Sequence, residues 1–266
     1  TILDQMRKFT KLEKLTVLAA FNEEEIIEDI ICKVSKITTL QSLVFENGVD
    51  MGSNTWMAIL HGLPHLKSLS ITAINTKTRV ETMQMVLPTL TKLTSLTILY
   101  APQLGIATLL TLTNLQQLRF ENLGDFTREE FWDYEGKYPW YLLTTCTKLQ
   151  SLTLWRVTWK DDLTDTLLSM PNLKSLEISS CMNQQVFWEH LPELTSLTHL
   201  TLQDFSNITA DQLGTVNALP NLQYLIFDAG FSKVPVQVFE EPQLQSMKRK
   251  VIVTEPFPTF LCAAKQ

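Results

Sequence analysis

The chain has 266 residues, is 45% apolar and 19% charged, and carries a formal net charge of −6. A general nucleic-acid binder shows a basic excess that neutralises phosphates, and this composition has the reverse. No run of about 18 apolar residues occurs, so no segment has the length of a membrane-spanning helix. The four cysteines, Cys32, Cys146, Cys181 and Cys262, are too far apart for a zinc cluster or a dense disulfide framework. They read as small buried thiols of a reducing compartment.

The chain opens on "ILDQMRKFTKLEKL", a helical pattern running into a strand. It reads as the second half of a structural unit, and predicts a further domain or further units ahead of Thr1. In "NEEEIIEDIICKVSK", Ile26, Ile27, Ile30, Ile31 and Val34 share one helical face. Asn22 can cap that helix, with Glu25 three residues on. One phrase then dominates: "FTKLEKLTV", "ITTLQSLVF", "LPHLKSLSI", "LTKLTSLTI", "LTNLQQLRF", "CTKLQSLTL", "MPNLKSLEI", "LTSLTHLTL" and "LPNLQYLIF". Its third frame position is Leu every time: Leu15, Leu43, Leu69, Leu96, Leu118, Leu152, Leu176, Leu200 and Leu225. The spacings are 28, 26, 27, 22, 34, 24, 24 and 25 residues. Each final Leu-x-apolar triplet alternates with period two and predicts a short strand with one buried face. A single strand-plus-helix unit cannot bury its own apolar face; stacked units can.

The 34-residue spacing holds an insertion at about 124–141, "GDFTREEFWDYEGKYPWY", with seven aromatic residues. A helix is expected from Thr127 to about Tyr134, with a break at Gly136 and Pro139. Phe131 and Trp140 are expected to fill the widened core, and Tyr134 and Tyr138 to reach a binding rim. Further on, Thr209 and Gln212 carry a helix-capping signature. The glycosylation pattern at Asn207-Ile208-Thr209 is read as chance for that reason. After Leu225 the frame decays into a tail, about 231–266, expected to cap the array. "KVIVTE" within it is a candidate closing strand, and Pro256 and Pro258 stop regular structure.

From about residue 9 to residue 230 the nine frames resemble the leucine-rich repeat family. The resemblance and the stacking argument imply one α/β domain over 1–266: a horseshoe solenoid of about nine repeats. A parallel β-sheet would line its concave face and helices its convex face. Most such repeats carry Asn five residues after the frame Leu. Here the position holds Ala20, Gly48, Ile74, Ala101, Leu123, Val157, Cys181, Phe205 and Gly230, so that asparagine ladder is missing. Repeat lengths look most like the ribonuclease-inhibitor-like and cysteine-containing subclasses, the latter similar to F-box substrate receptors, although only Cys181 keeps the cysteine. The resemblance implies a cytoplasmic sensor or substrate-receptor module.

Catalytic constellations are not apparent. Gly62 and Pro64 separate His61 from His65, which argues against a zinc-binding helix. Asp161-Asp162 and Glu129-Glu130 suit helix starts. Cys32 sits among acids, where a nucleophilic thiolate is disfavoured. The chain is therefore expected to be no enzyme and to need no cofactor or metal. Its binding surface would be the outward positions of the strands. Tyr100, Arg119, Trp155 and Arg156 are predicted to cluster in the middle repeats, with Glu121 beside them, and these aromatic and Arg types dominate binding hot spots. Glu177, His199, Asp204, Tyr224 and Asp228 extend the surface through the later repeats. The expected partner is a protein or peptide, not nucleic acid or membrane. A targeting arm for an enzyme such as a ubiquitin ligase, or a subunit of a large assembly, are the alternatives.

Overall fold

The frame contains two devices, a tight turn and a strand. In the turn, the N–H of one apolar residue donates to the carbonyl three residues back, as in Leu40 to Ile37 at 3.0 Å, Leu115 to Leu112 at 3.0 Å and Leu149 to Cys146 at 2.9 Å. In these three turns both apolar side chains point inward and are buried, and Cys146 occupies a position that elsewhere holds Leu, Ile, Met170 or Phe9. A five-residue strand begins two residues later. The computed structural model describes residues 9, 11–18, 34, 36–46, 61–72, 77–99, 106–121, 140–155, 159–180, 183–205, 208–228 and 250–254. The expected helix around Ile26 and that of the aromatic insertion lie outside these residues, apart from Val34, which is helical and buried.

Nine strands carry the nine frame leucines: β1 (Lys14–Leu18), β2 (Ser42–Glu46), β3 (Ser68–Thr72), β4 (Ser95–Leu99), β5 (Gln117–Glu121), β6 (Ser151–Trp155), β7 (Ser175–Ser179), β8 (His199–Gln203) and β9 (Tyr224–Asp228). A tenth, β10 (Lys250–Thr254), is the strand expected in the tail, and it pairs parallel with β9. The sheet runs β1 to β10 in sequence order, with every pair parallel. Within each of β2 to β9 the second and fourth residues are buried, so the frame leucine and the apolar residue two further on face the core. In β1 the neighbour lies on one side only among the described residues, and Leu12 and Leu15 are half-buried.

Register comes from a repeated backbone contact. The residue two before each of the first eight frame leucines offers a carbonyl that accepts two N–H groups of the next repeat. Gln116, for example, accepts from Gln150 at 2.8 Å and Ser151 at 3.0 Å. Side chains reinforce this edge: Asn114, Asn172 and Asn221 donate to the carbonyls of Thr91, Thr147 and Thr195 at 2.9, 2.8 and 2.8 Å. Thr39 and Ser196, at the equivalent positions, donate to Leu12 and Leu173, both at 2.8 Å. A polar ladder therefore exists four residues before the frame leucine, at the opposite strand end from the missing one.

Repeat length decides what covers the other side. Among the described residues, the 22-residue spacing holds a 3-10 turn, Ile106–Leu109, while 24–27-residue spacings hold the helices Lys77–Val86, Asp161–Leu168, Gln184–His190 and Ala210–Thr215. The last begins on the expected capping box: Thr209 Oγ1 accepts from the Gln212 N–H at 3.2 Å, and Gln212 Oε1 from the Thr209 N–H at 2.9 Å. Beneath the helices of repeats six to eight, Trp159, Phe187, Trp188 and Phe205 pack edge to face with centroids 4.8–5.9 Å apart.

Leu152 is fully buried between two neighbouring repeats. Leu152→Ala is expected to destabilise by roughly 2–5 kcal/mol through the cavity it opens, measured by chemical denaturation. Thr209→Ala removes a cap and is expected to cost about 1 kcal/mol by the same measurement.

Candidate functional site

On a pleated strand the first, third and fifth residues face away from the core. Parallel in-register pairing aligns them into three rows along the concave face. The middle row runs Thr97, Arg119, Thr153, Glu177, Thr201, Ile226. The row at the strand ends runs Trp155, Ser179, Gln203, Asp228.

Arg119 and Trp155 come together. The guanidinium carbon of Arg119 lies 5.7 Å from the Trp155 ring centroid, within cation–π range. Both side chains are half-buried. The Arg119 Nε is buried and has no hydrogen-bond partner among the described residues. The indole in turn reaches across a strand: Trp155 Nε1 donates to Gln203 Oε1 at a long 3.4 Å. Ser179 stands between them in the row and is 0% exposed although it faces outward, because the indole passes over it. Thr153, beside Arg119, is also buried, and its Oγ1 lies 3.4 Å from Glu177 Oε2. A basic plane, an aromatic plane and an acid thus occupy adjoining strands. Trp155 also covers part of the sheet, so it is more than a free-standing contact residue.

A second pair lies toward the opposite strand ends. His199 and Tyr224 are in register and stack with centroids 4.5 Å apart and planes 17° apart. Both are exposed, and His199 Nδ1 is 2.9 Å from Thr198 Oγ1. Asp204 has a local job: in the left-handed region at φ 55°, it accepts from Ser180 Oγ at 2.9 Å and lies 3.4 Å from Ser179 Oγ. Its carboxylate ties the ends of β7 and β8 together. Glu121 and Asp228 end β5 and β9; their side chains lie outside the described residues. So do Tyr100, Arg156, Tyr134 and Tyr138. Of the aromatic insertion, Trp140 is buried, as expected, whereas Tyr141 is 66% exposed. Both belong to the 3-10 segment Trp140–Thr145, which packs with Ile106–Leu109 and helix Asp161–Leu168 in the layer behind the sheet.

Gln203 and Ser179 escaped the sequence reading as members of the Trp155 cluster. The signal was present: aligning the frames puts Trp155, Ser179 and Gln203 in one row. What alignment does not show is which way a large side chain leans along that row.

Burial pushes the Cys146 thiol above its usual range, the reverse of what a nucleophilic thiolate requires. Among the described residues, no group of three His, Cys, Asp or Glu side chains could hold a metal ion, and no helix is long and apolar enough to cross a membrane.

No protein-family model matches the chain, and no curated protein matches it. Among solved structures, the leucine-rich repeat-containing protein LegL7 from Legionella pneumophila is similar over 85% of this chain and 78% of that one, at 13% identity and a TM-score of 0.53. An internalin, inlF, from Listeria monocytogenes aligns over 95% of this chain and 84% of that one, at 16% identity and a TM-score of 0.37. The likeness to LegL7, with the nine in-register parallel strands, makes the fold that of a leucine-rich-repeat solenoid.

Proposed function

We propose that the chain is a non-catalytic recognition module that binds a protein or peptide partner on its concave face, as the sensor or substrate-receptor part of a cytoplasmic protein. The observation that carries this reading is the Arg119–Trp155 pair. A half-buried guanidinium set over an indole, 5.7 Å from the ring centroid, supplies a planar cation to an incoming carbonyl or carboxylate. Glu177 beyond Thr153 offers the opposite charge close by, which suits a mixed polar partner. The stacked His199–Tyr224 pair supplies a second platform about 10–19 Å along the sheet, within reach of one extended peptide. The same reading places a neighbouring domain or subunit against the β1 edge, where Leu12 and Leu15 are half-buried.

The test is affinity capture with the 266-residue chain, followed by titration of the recovered partner. Trp155→Ala is expected to weaken binding by about 2 kcal/mol, some thirtyfold, and Arg119→Gln by about tenfold. Trp155→Ala also uncovers Ser179 and loses the Gln203 bond, so a stability loss of about 1 kcal/mol is expected with it. Arg119→Gln leaves the indole in place and separates binding from folding. Ser70→Ala, in β3, is expected to change neither. A partner that binds both Trp155→Ala and Arg119→Gln as tightly as the parent chain overturns the concave site.

A further inference from the structure

The edge of the sheet where the strands begin has a charge unlike the rest of the chain. Two rows of residues define it, four and two positions before each frame leucine, and the backbone contacts between repeats hold both rows in line. These 18 positions contain Lys11, Lys67, Lys92, Lys148 and Lys174 against one acid, Glu13. The rest of the chain holds the remaining 17 of 22 Lys and Arg, and 27 of 28 Asp and Glu. An acidic protein has thus gathered an excess of positive charge on one narrow rim.

All five lysines are exposed, and none pairs with a carboxylate among the described residues. Two are instead steered along the rim by carboxamides of the preceding repeat. Lys67 Nζ donates to Gln41 Oε1 at 3.0 Å, and Lys148 Nζ to Asn114 Oδ1 at 2.6 Å. At one end the rim opens into a cleft of about 470 Å³ lined by Lys11, Glu13, Thr39, Gln41, His65 and Lys67. An isolated surface lysine normally wanders in water. A row of them, two tethered by neutral partners and one end opening into a cleft, presents an exposed excess of positive charge that no carboxylate pairs among the described residues.

We infer that this rim is a second binding surface, separate from the concave face, and that it takes an extended acidic segment of a partner protein. From Lys11 to Lys174 the rim crosses six strand intervals, about 29 Å, the length of roughly nine residues of extended chain. Between the lysines stand exposed Gln116 and Gln150, whose carboxamides can both donate to and accept from a peptide backbone. Nucleic acid fits less well. Neither row contains Phe, Tyr or Trp for base stacking, His65 being the one ring in them, and the cations are point-like lysines without an Arg fork.

The experiment is fluorescence anisotropy of the 266-residue chain with a labelled twelve-residue polyglutamate peptide. Labelled oligothymidylate and phosphatidylserine vesicles are run in parallel. Peptide binding is expected at about 50 mM salt and should weaken about tenfold or more by about 300 mM. Replacing Lys67, Lys92, Lys148 and Lys174 together by Gln should reduce peptide affinity at least about tenfold, with an unchanged melting profile. Lys92→Glu with Lys174→Glu, which removes no tethered lysine, should do the same. The inference is overturned if the peptide does not bind, or if both variants bind it like the parent chain. It is also overturned if oligothymidylate or vesicles bind more tightly than the peptide, or if salt-sensitive self-association accounts for the rim while the peptide is ignored.

Discussion

One carbonyl accepting two N–H groups from the following repeat sets the whole molecule. The contact recurs eight times from Glu13 to Thr198, at 2.8 Å and 2.9–3.0 Å. It starts every strand at the same height as the one before. Parallel strands otherwise slip easily, and a slip of one residue would turn every frame leucine outward. With the starting height set, the second and fourth residues of β2 to β9 stack into one continuous apolar core, and the outward residues fall into straight rows. Concave cluster and rim alike consist of residues brought into line by that contact.

The layer behind the sheet tolerates far more variation, because it only has to cover apolar side chains. A 3-10 turn serves where the spacing is 22 residues, and short helices serve at 24–27. Where space allows, aromatic rings do the filling, as Trp159, Phe187, Trp188 and Phe205 show. Trp140 belongs to the same class: its ring is buried in that layer, and the neighbouring Tyr141 is exposed. The aromatic insertion is thereby tied, at its described end, to packing behind the sheet.

Two surfaces with different physics result. The concave cluster is partly desolvated and built on a planar cation, an indole and a carboxylate, so its contacts reward shape and geometry. The rim is exposed, and a contact made there would depend on summed charge, so salt would govern it. A partner engaging both would gain through effective concentration without either contact being strong.

The nine strands, their parallel order and the buried alternation were legible from the repeat alone, because a period-two pattern recurring with one invariant leucine admits one stacked solution. The capping box at Thr209 was legible for a similar reason: both partners lie within one turn of chain. Side-chain direction was not. Nothing local in "SLTLW" says that Trp155 leans toward β8, over Ser179, to meet Gln203 48 residues later, while Arg119 covers its face from the other side. Nor could the missing asparagine ladder reveal that Asn114, Asn172 and Asn221 bind the previous repeat at the other strand end. Short-range periodicity determines which face a residue occupies. Which neighbour it touches on that face depends on residues one or two repeats away, and only the stacked structure brings those together.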